Sequence, residues 1–214
     1  PSVPEGQSQT WRVYADGLPY ALRGTPYVGR GGALYLEPGV VVKLEDNQSV
    51  VVNGHLEALG TASAPVVLTA LTDDAGGDTN GDGGGTVPEA DWWNSLQFAD
   101  GSSGTLSHCQ IRYAGYWDDA AVVVRGSAAP VLDHCQISDI SGDGMRLYDT
   151  AQPSLTYSTV TGVEWPVRSF GWAALPASLE GNTYGAAVHR GLLLEQPSVP
   201  EGQSQTWRVY ADGL

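Results

Sequence analysis

Leu106-Ser-His-Cys-Gln-Ile111 returns later in the chain as Leu132-Asp-His-Cys-Gln-Ile137, and this repeat decides the fold. Two weaker copies follow, Leu155-Thr-Tyr-Ser-Thr-Val160 and Leu179-Glu-Gly-Asn-Thr-Tyr184, so the leading leucines are 26, 23 and 24 residues apart. A period of that length is too short for a strand–helix–strand unit and fits one coil of a β-solenoid. Such coils stack equivalent residues about 4.8 Å apart. The repeat therefore predicts short parallel strands, stacked coil on coil.

The composition agrees with an all-β chain. Of 214 residues, 28 are Gly and 13 are Pro, and 42% are hydrophobic, which is enough for a folded core. No stretch combines a helical hydrophobic period with helix caps. The N-terminal half instead alternates β-rich runs with turn pairs such as Pro38-Gly39 and Asn53-Gly54. The runs predicted as strands are Ala33–Leu36, Val40–Leu44, Val50–Val52, Leu56–Leu59 and Val66–Ala70.

Several of these runs also resemble a known group of proteins. The stretches that carry the resemblance are Leu36–Leu44, Val52–Thr61, Pro65–Thr69 and an Asp-rich insert before Trp92. They are similar to the right-handed parallel β-helix domains (pectate-lyase-like solenoids) of large bacterial secreted and surface proteins, over roughly residues 20–185. The resemblance implies an all-β, right-handed parallel β-helix with coils of about 23–26 residues and one acidic loop insertion, in an extracellular or cell-surface location. It implies no single activity, because this fold carries enzymes, adhesins and structural modules.

Two cysteines occupy the same place in consecutive coils. Strand alternation puts Cys109 and Cys135 on one face of neighbouring coils, at a spacing compatible with a disulfide. Buried free thiols are the other arrangement, because an unpaired cysteine behaves as a small hydrophobic residue. The sequence leaves both open. The preceding residues, His108 and His134, are predicted to stack at the coil bend rather than to bind a metal, since histidine and cysteine side chains on alternate faces do not converge on one ion.

The end of the chain repeats its beginning. Residues 197–214 match residues 1–18 letter for letter, which gives a period of 196 residues. A tandem array and an engineered overlap both explain this identity, and we favour the array. The chain then consists of one repeat unit, residues 1–196, and the start of the next, residues 197–214.

The start of each repeat is predicted to stack on the last coil of the preceding repeat. Thr10–Tyr14 alternates like a strand, and an open solenoid end exposes strand edges that need covering. The alternative is a string of separate domains joined by a linker containing Pro197 and Pro200. The residues predicted to form the inter-repeat joint are Trp11, Val13, Trp207, Val209 and Tyr210.

An acidic loop, residues 73–91, interrupts the β pattern. It contains Asp78-x-Asn80-x-Asp82-Gly83 and, after five further residues, Glu89, which is the spacing of a calcium-binding loop. Ca²⁺ takes about six to eight oxygen ligands. Pro88 and the neighbouring β segments argue against an EF-hand, so we expect a structural Ca²⁺ loop between two strands; a solvated Asp/Gly-rich loop is the alternative. The predicted ligands are Asp78, Asn80, Asp82, Gly84 and Glu89.

The chain is strongly acidic, with 24 Asp and Glu residues against 10 Lys and Arg residues. A surface of this charge repels nucleic acid and anionic membranes and attracts divalent cations, so we expect no nucleic-acid partner. The same charge also keeps a β-rich protein soluble. No apolar run reaches the ~20 residues of a membrane-spanning helix, and we expect no membrane span in this segment.

Three classes of function stay open. Trp92, Trp93 and Trp117 lie near loops and are candidates for stacking on carbohydrate, as in an adhesin repeat. A polysaccharide lyase or hydrolase needs clustered carboxylates beside a basic group, but Lys43 is the only lysine and no convincing catalytic constellation is present. The expected function is therefore structural. It is that of a tandem-repeat module of an extracellular filament, stalk, sheath or long adhesin, with neighbouring copies as head-to-tail partners and Ca²⁺ as a rigidifying ion.

Overall fold

A computed structural model describes residues 2–171, 174–187, 189–195, 199, 201–204 and 206. Within them the chain is all β and contains no helix. Its 21 strands form three parallel sheets of seven strands each. The strand numbers in each sheet rise in steps of three, so the chain passes once through sheets I, II and III in each of about seven turns. The parallel β-helix predicted from the sequence is confirmed.

The strands of each sheet follow the turns of the helix. Sheet I contains β1 (Ser8–Trp11), β4 (Ala33–Leu36), β7 (His55–Leu59), β10 (Ser103–Ser107), β13 (Val131–Asp133), β16 (Ser154–Thr156) and β19 (Ser178–Glu180). Sheet II contains β2 (Tyr20–Leu22), β5 (Val41–Leu44), β8 (Val66–Ala70), β11 (Cys109–Arg112), β14 (Gln136–Ser138), β17 (Thr159–Thr161) and β20 (Thr183–Gly185). Sheet III contains β3 (Tyr27–Val28), β6 (Val50–Val52), β9 (Leu96–Phe98), β12 (Ala120–Val124), β15 (Asp143–Tyr148), β18 (Val167–Phe170) and β21 (Leu192–Glu195).

The repeated leucines belong to one inward-facing column of sheet I, the leucine column. Burying each leucine stabilises the fold by about 1.5–3 kcal/mol. The step from Ala58 to Leu106 takes 48 residues, about twice the others, because the acidic loop lies within that turn. The members of the column pair in register and are buried: Trp11, Leu36, Ala58, Leu106, Leu132, Leu155 and Leu179.

A ladder of rings marks the turn from sheet I to sheet II. His108, His134 and Tyr157 occupy this turn in three successive coils, with φ values of 49°, 53° and 48°. Their rings stack at centroid distances of 4.9 and 5.4 Å, so the predicted stacking of the two histidines is confirmed. A left-handed residue other than glycine costs about 1–2 kcal/mol, and ring stacking offsets part of that cost. The last coil has Gly181 at this place, with a φ of 69°.

Two connections, one of them the longest in the described structure, leave the helix at the corner between sheets II and III. The acidic loop joins β8 to β9, and the segment 113–119 joins β11 to β12 across the same corner. This corner is therefore the acidic edge of the molecule. Its connections contain 12 of the 24 acidic residues, namely Glu45, Asp46, Asp73, Asp74, Asp78, Asp82, Glu89, Asp91, Asp118, Asp119, Asp139 and Glu164.

Candidate functional site

Asp73, the first residue of the acidic loop, fastens the loop to the outer face of sheet II. Its Oδ2 accepts a hydrogen bond from Thr69 Oγ1 on β8 and lies 2.8 Å from a terminal nitrogen of Arg112 on β11. Its Oδ1 accepts a hydrogen bond of 3.0 Å from Ala75 N. Because Asp73 is buried, these contacts are shielded from water and are stronger than they would be at the surface. The carboxylate thereby fixes the path along which the loop leaves the coil.

Lys43 lies beneath the acidic loop. Its neighbours Val42 and Leu44 face the core, so the lysine points outward from β5, yet it is 0% exposed. Lys43 Nζ donates hydrogen bonds to Thr79 Oγ1, at 2.7 Å, and to the Gly77 carbonyl. Burial lowers the pKa of Lys43, while the carboxylates of the loop act in the opposite direction. A buried ammonium group thus holds a loop of opposite charge.

Three carboxylates converge in the exposed part of the acidic loop. Asp74, Asp78 and Asp82 each offer one oxygen, and these oxygens all lie within 4.8 Å of one another. Hydrogen bonds from Gly83 N and Gly81 N, at 2.8 and 2.7 Å, lower the pKa of Asp78. The carboxylate of Asp78 is therefore held ionised in a fixed orientation. Carboxylate oxygens are ligands that Ca²⁺ prefers.

Asp82 organises the second half of the same loop. A hydrogen bond from the Thr86 hydroxyl, together with bonds from Gly85 N and Gly84 N, lowers the pKa of Asp82. Asn80 Nδ2 donates a further hydrogen bond of 2.9 Å to Asp82 Oδ2. The loop is thus folded around its own carboxylates through main-chain and side-chain donors.

The structure brings together only part of the predicted ligand set. Asp78 and Asp82 share the carboxylate cluster, whereas Glu89 is not one of its members. Asn80 approaches the cluster through its amide N–H group rather than its oxygen. Asp74 takes a place that the sequence pattern did not assign, because it precedes the calcium-loop spacing by four residues. The loop folds back so that Asp74 lies near Asp78 and Asp82. The calcium-loop spacing starts at Asp78 and therefore does not include Asp74.

The three tryptophans predicted to bind carbohydrate do not lie in one groove. Trp93 is 0% exposed and donates Nε1–H to the Arg112 carbonyl at 2.9 Å, which removes it from the predicted glycan-binding set. Trp92 is partly buried against the core. Trp117 is 73% exposed and lies edge-on to Tyr116 at a centroid distance of 5.4 Å. Only Trp117 of the three offers an open ring.

A cluster of arginines and carboxylates covers the outer face of sheet III. Asp143 Oδ2 lies 2.6 Å from Arg146 Nε and 3.0 Å from Arg168 Nε. A terminal nitrogen of Arg146 also donates a hydrogen bond of 2.9 Å to the Asp118 carbonyl, which ties segment 113–119 to β15. Asp143 is 0% exposed, and burial raises its pKa. A carboxyl group so enclosed positions the loop and does not face a polymeric substrate.

The cysteines predicted as a disulfide or as stacked thiols are both free and buried. Cys109 Sγ donates a hydrogen bond to the Ala58 carbonyl at 3.3 Å, and Cys135 Sγ donates one to the Leu106 carbonyl at 3.6 Å. Each thiol therefore bonds to the coil on the N-terminal side. A hydrogen bond with Cys135, together with burial, raises the pKa of Cys109.

The N-terminal copy of the repeated segment, residues 1–18, supplies β1, the first strand of the first coil. β1 ends sheet I, because it pairs with β4 and no other strand in the described part of the chain. Trp11 is buried there at the start of the leucine column, and Val13 is exposed. The other predicted joint residues, Trp207, Val209 and Tyr210, lie outside the described residues, as does most of the predicted second unit 197–214.

The two ends of the repeat unit meet the same sheet. Val3 forms a parallel bridge with Val28 of β3, so the chain enters at sheet III. The last strand, β21, is also part of sheet III. Val199, the sequence counterpart of Val3, follows the end of β21 at Glu195 by four residues.

Comparisons with known proteins add no family to this picture. No family model matches the chain, and neither the curated proteins nor the solved structures gave a significant match. A search of the described residues for a helix long and apolar enough to cross a membrane found none. The fold itself defines the class of protein, a parallel β-solenoid.

Proposed function

We propose that this chain is a structural tandem-repeat module of an extracellular filament, stalk, sheath or long adhesin, joined end to end with identical copies. The observation that carries the proposal is the register of the leucine column. Trp11 on the first coil and Leu179 on the last coil belong to the same inward column. In an array, we expect the counterpart of Trp11 in the next copy, Trp207 in this sequence, to continue that column above Leu179.

The number of turns in the repeat also supports stacking of the next copy on the last coil. A repeat that enters and leaves on sheet III has completed a whole number of turns, and each sheet has seven strands. The next copy therefore begins in the sheet where the previous copy ends. Seven coils at about 4.8 Å give an axial length of about 34 Å per repeat. Stacking also covers the free strand edges that would otherwise invite uncontrolled association.

Ca²⁺ is proposed as the ion that rigidifies the acidic loop. The convergence of Asp74, Asp78 and Asp82 supports this role, because three carboxylates close together repel one another unless a cation lies between them. Isothermal titration of Ca²⁺ tests the site, with the double variant Asp78→Ala, Asp82→Ala as the comparison. Equal binding by both proteins would contradict it.

Small-angle scattering from proteins of two, three and four complete repeats tests the array. A continuous helix lengthens by about 34 Å with each added repeat. Clearly larger increments, or a flexible particle, would place linkers between separate domains and overturn the proposal. Leu179→Lys in every copy is the matched variant, since it puts a charge into the leucine column at the joint and is expected to break the rigid rod.

A carbohydrate-binding adhesin repeat is the second candidate. It is favoured by the open ring of Trp117 beside the half-exposed Tyr116. Aromatic rings exposed in this way stack on sugar faces. Loss of glycan-array binding in Trp117→Ala, with retention in Trp92→Ala, would support this candidate, and the absence of any binding would exclude it.

A further inference from the structure

The connection Arg12–Pro19 between β1 and β2 differs from its counterparts in later coils. It spans eight residues, whereas the turns from sheet I to sheet II in the last three coils contain two residues each. It also carries Val13, Tyr14 and Leu18, three of the large apolar side chains that are exposed in the described structure, at 45%, 57% and 62%. Clustered apolar side chains of this kind mark an interaction surface.

The position of Arg12–Pro19 in the first coil indicates which molecule would cover its apolar side chains. It belongs to the first coil, and in an array the coil beneath it is the last coil of the preceding copy. The corresponding turn of that coil is Gly181–Asn182. The apolar side chains therefore lie at the continuation of an axial interface, and the occupant that this interface supplies is a second copy of the chain.

Hydrogen bonds to the preceding coil fix the turn Gly181–Asn182. Asn182 is held by hydrogen bonds from Ser158 N to its Oδ1, at 2.8 Å, and from its Nδ2 to the Leu155 carbonyl, at 2.7 Å. Gly181 lies close to the ring of Tyr157, because a Cβ at this place would lie 2.5 Å from that ring. Tyr157 is still 52% exposed, so the ring ladder ends on a partly exposed aromatic side chain.

We propose that Arg12–Pro19 of each copy is a clasp, which packs Val13, Tyr14 and Leu18 onto the Tyr157 ring and the Gly181–Asn182 turn of the preceding copy. The inference rests on the proposed function and adds a second contact to it. The leucine column joins the copies inside the helix, and the clasp joins them at the outer corner between sheets I and II. Each interface is heterologous, head to tail, and generates an open fibre.

The chain carries its own matched control for a test. In a protein made of residues 1–214, Val209 and Tyr210 are the counterparts of Val13 and Tyr14, and only this C-terminal pair follows a complete repeat on which it could pack. The measurement is the rate of tryptic cleavage at the Arg208–Val209 bond, followed by mass spectrometry. We expect Val209→Ser, Tyr210→Ser to speed this cleavage at least tenfold, while Val13→Ser, Tyr14→Ser leaves it unchanged.

A third variant distinguishes the clasp from the axial joint, which is the contact between copies along the leucine column. Trp207→Ser removes the residue that is proposed to continue the leucine column in the next copy. If this variant speeds cleavage and Val209→Ser, Tyr210→Ser does not, the clasp is wrong and the axial joint stands. If the unaltered chain is already cleaved as fast as all variants, both are wrong.

Discussion

Lys43 Nζ donates a hydrogen bond of 2.7 Å to Thr79 Oγ1, so the only lysine of the chain joins sheet II to the acidic loop. The ammonium group lies inside a shell of loop carbonyl and hydroxyl oxygens, and it is fully covered. It neutralises part of the loop's charge from below, on the side opposite to solvent. The proposed Ca²⁺ would act on the same carboxylates from the opposite, exposed side.

Replacing Lys43 with methionine is expected to have two opposite effects. The free energy of unfolding falls by about 1–3 kcal/mol, because the oxygens of Thr79 and Gly77 lose a buried donor. Affinity for Ca²⁺ rises, because a positive charge near the carboxylates is removed. Urea unfolding and isothermal titration measure the two effects. Arg23→Met is the matched control, since Arg23 is exposed and its removal is expected to change stability by less than ~0.5 kcal/mol.

The carboxylates of the acidic loop predict a pH dependence in the acid range. The pKa values of Asp78 and Asp82 are lowered from 3.8, so their hydrogen bonds stabilise the loop fully above that value. This stabilisation is lost as the pH falls through the lowered pKa. We expect the amide protons of Gly81 and Gly83 to shift in an NMR titration with a midpoint below pH 3.8. A midpoint at or above 3.8, or the same transition in Asp78→Asn, would contradict the hydrogen bonding described here.

Leu132 and Val131 test the inward and outward faces of β13 side by side. Leu132 is buried in the leucine column, and its replacement by alanine is expected to lower the free energy of unfolding by about 2–5 kcal/mol. Val131 is exposed, and its replacement by alanine should change the free energy of unfolding by less than ~0.5 kcal/mol. Chemical denaturation measures both. Equal losses in the two variants would mean that β13 does not have this register.

Alanine variants at Gly181 and Gly101 distinguish the cost of a steric contact from the cost of backbone strain. Both have positive φ values, 69° and 73°, so alanine costs about 1–2 kcal/mol of strain at either place. Only at Gly181 does the new Cβ collide with a ring, that of Tyr157. We expect Gly181→Ala to be the more destabilising change in thermal unfolding, and the excess to vanish in a Tyr157→Ala background. An excess that persists there would rule out the ring contact as its cause.

The two cysteines predict a simple thiol count. In the folded chain both are buried, so reaction with Ellman's reagent should be slow. After unfolding without reductant, two thiols per chain should react. A count of zero after unfolding would show that Cys109 and Cys135 are joined by a disulfide.

The sequence predicted the coils better than the side-chain clusters, for a physical reason. The leucine spacing sets register, because each turn must return Leu106, Leu132 and their counterparts to the same face. Polar side chains that contact one another from different turns do not recur at a fixed spacing in the sequence. The partners of Lys43 lie more than 30 residues away. Trp93, which precedes a strand, is buried and forms a bridge to Ala114 in the next coil. A lysine at an outward position one coil before an acidic insert was the signal available in the sequence.

In the proposed fibre, the acidic corner between sheets II and III determines where the acidic loops of successive copies lie. If each copy completes a whole number of turns, every copy presents that corner in the same direction. The fibre then has a front and a back. Carboxylate loops and Trp117 rings recur along the front about every 34 Å. A partner with weak affinity for one copy, but with binding sites at that spacing, would bind many copies at once and dissociate slowly.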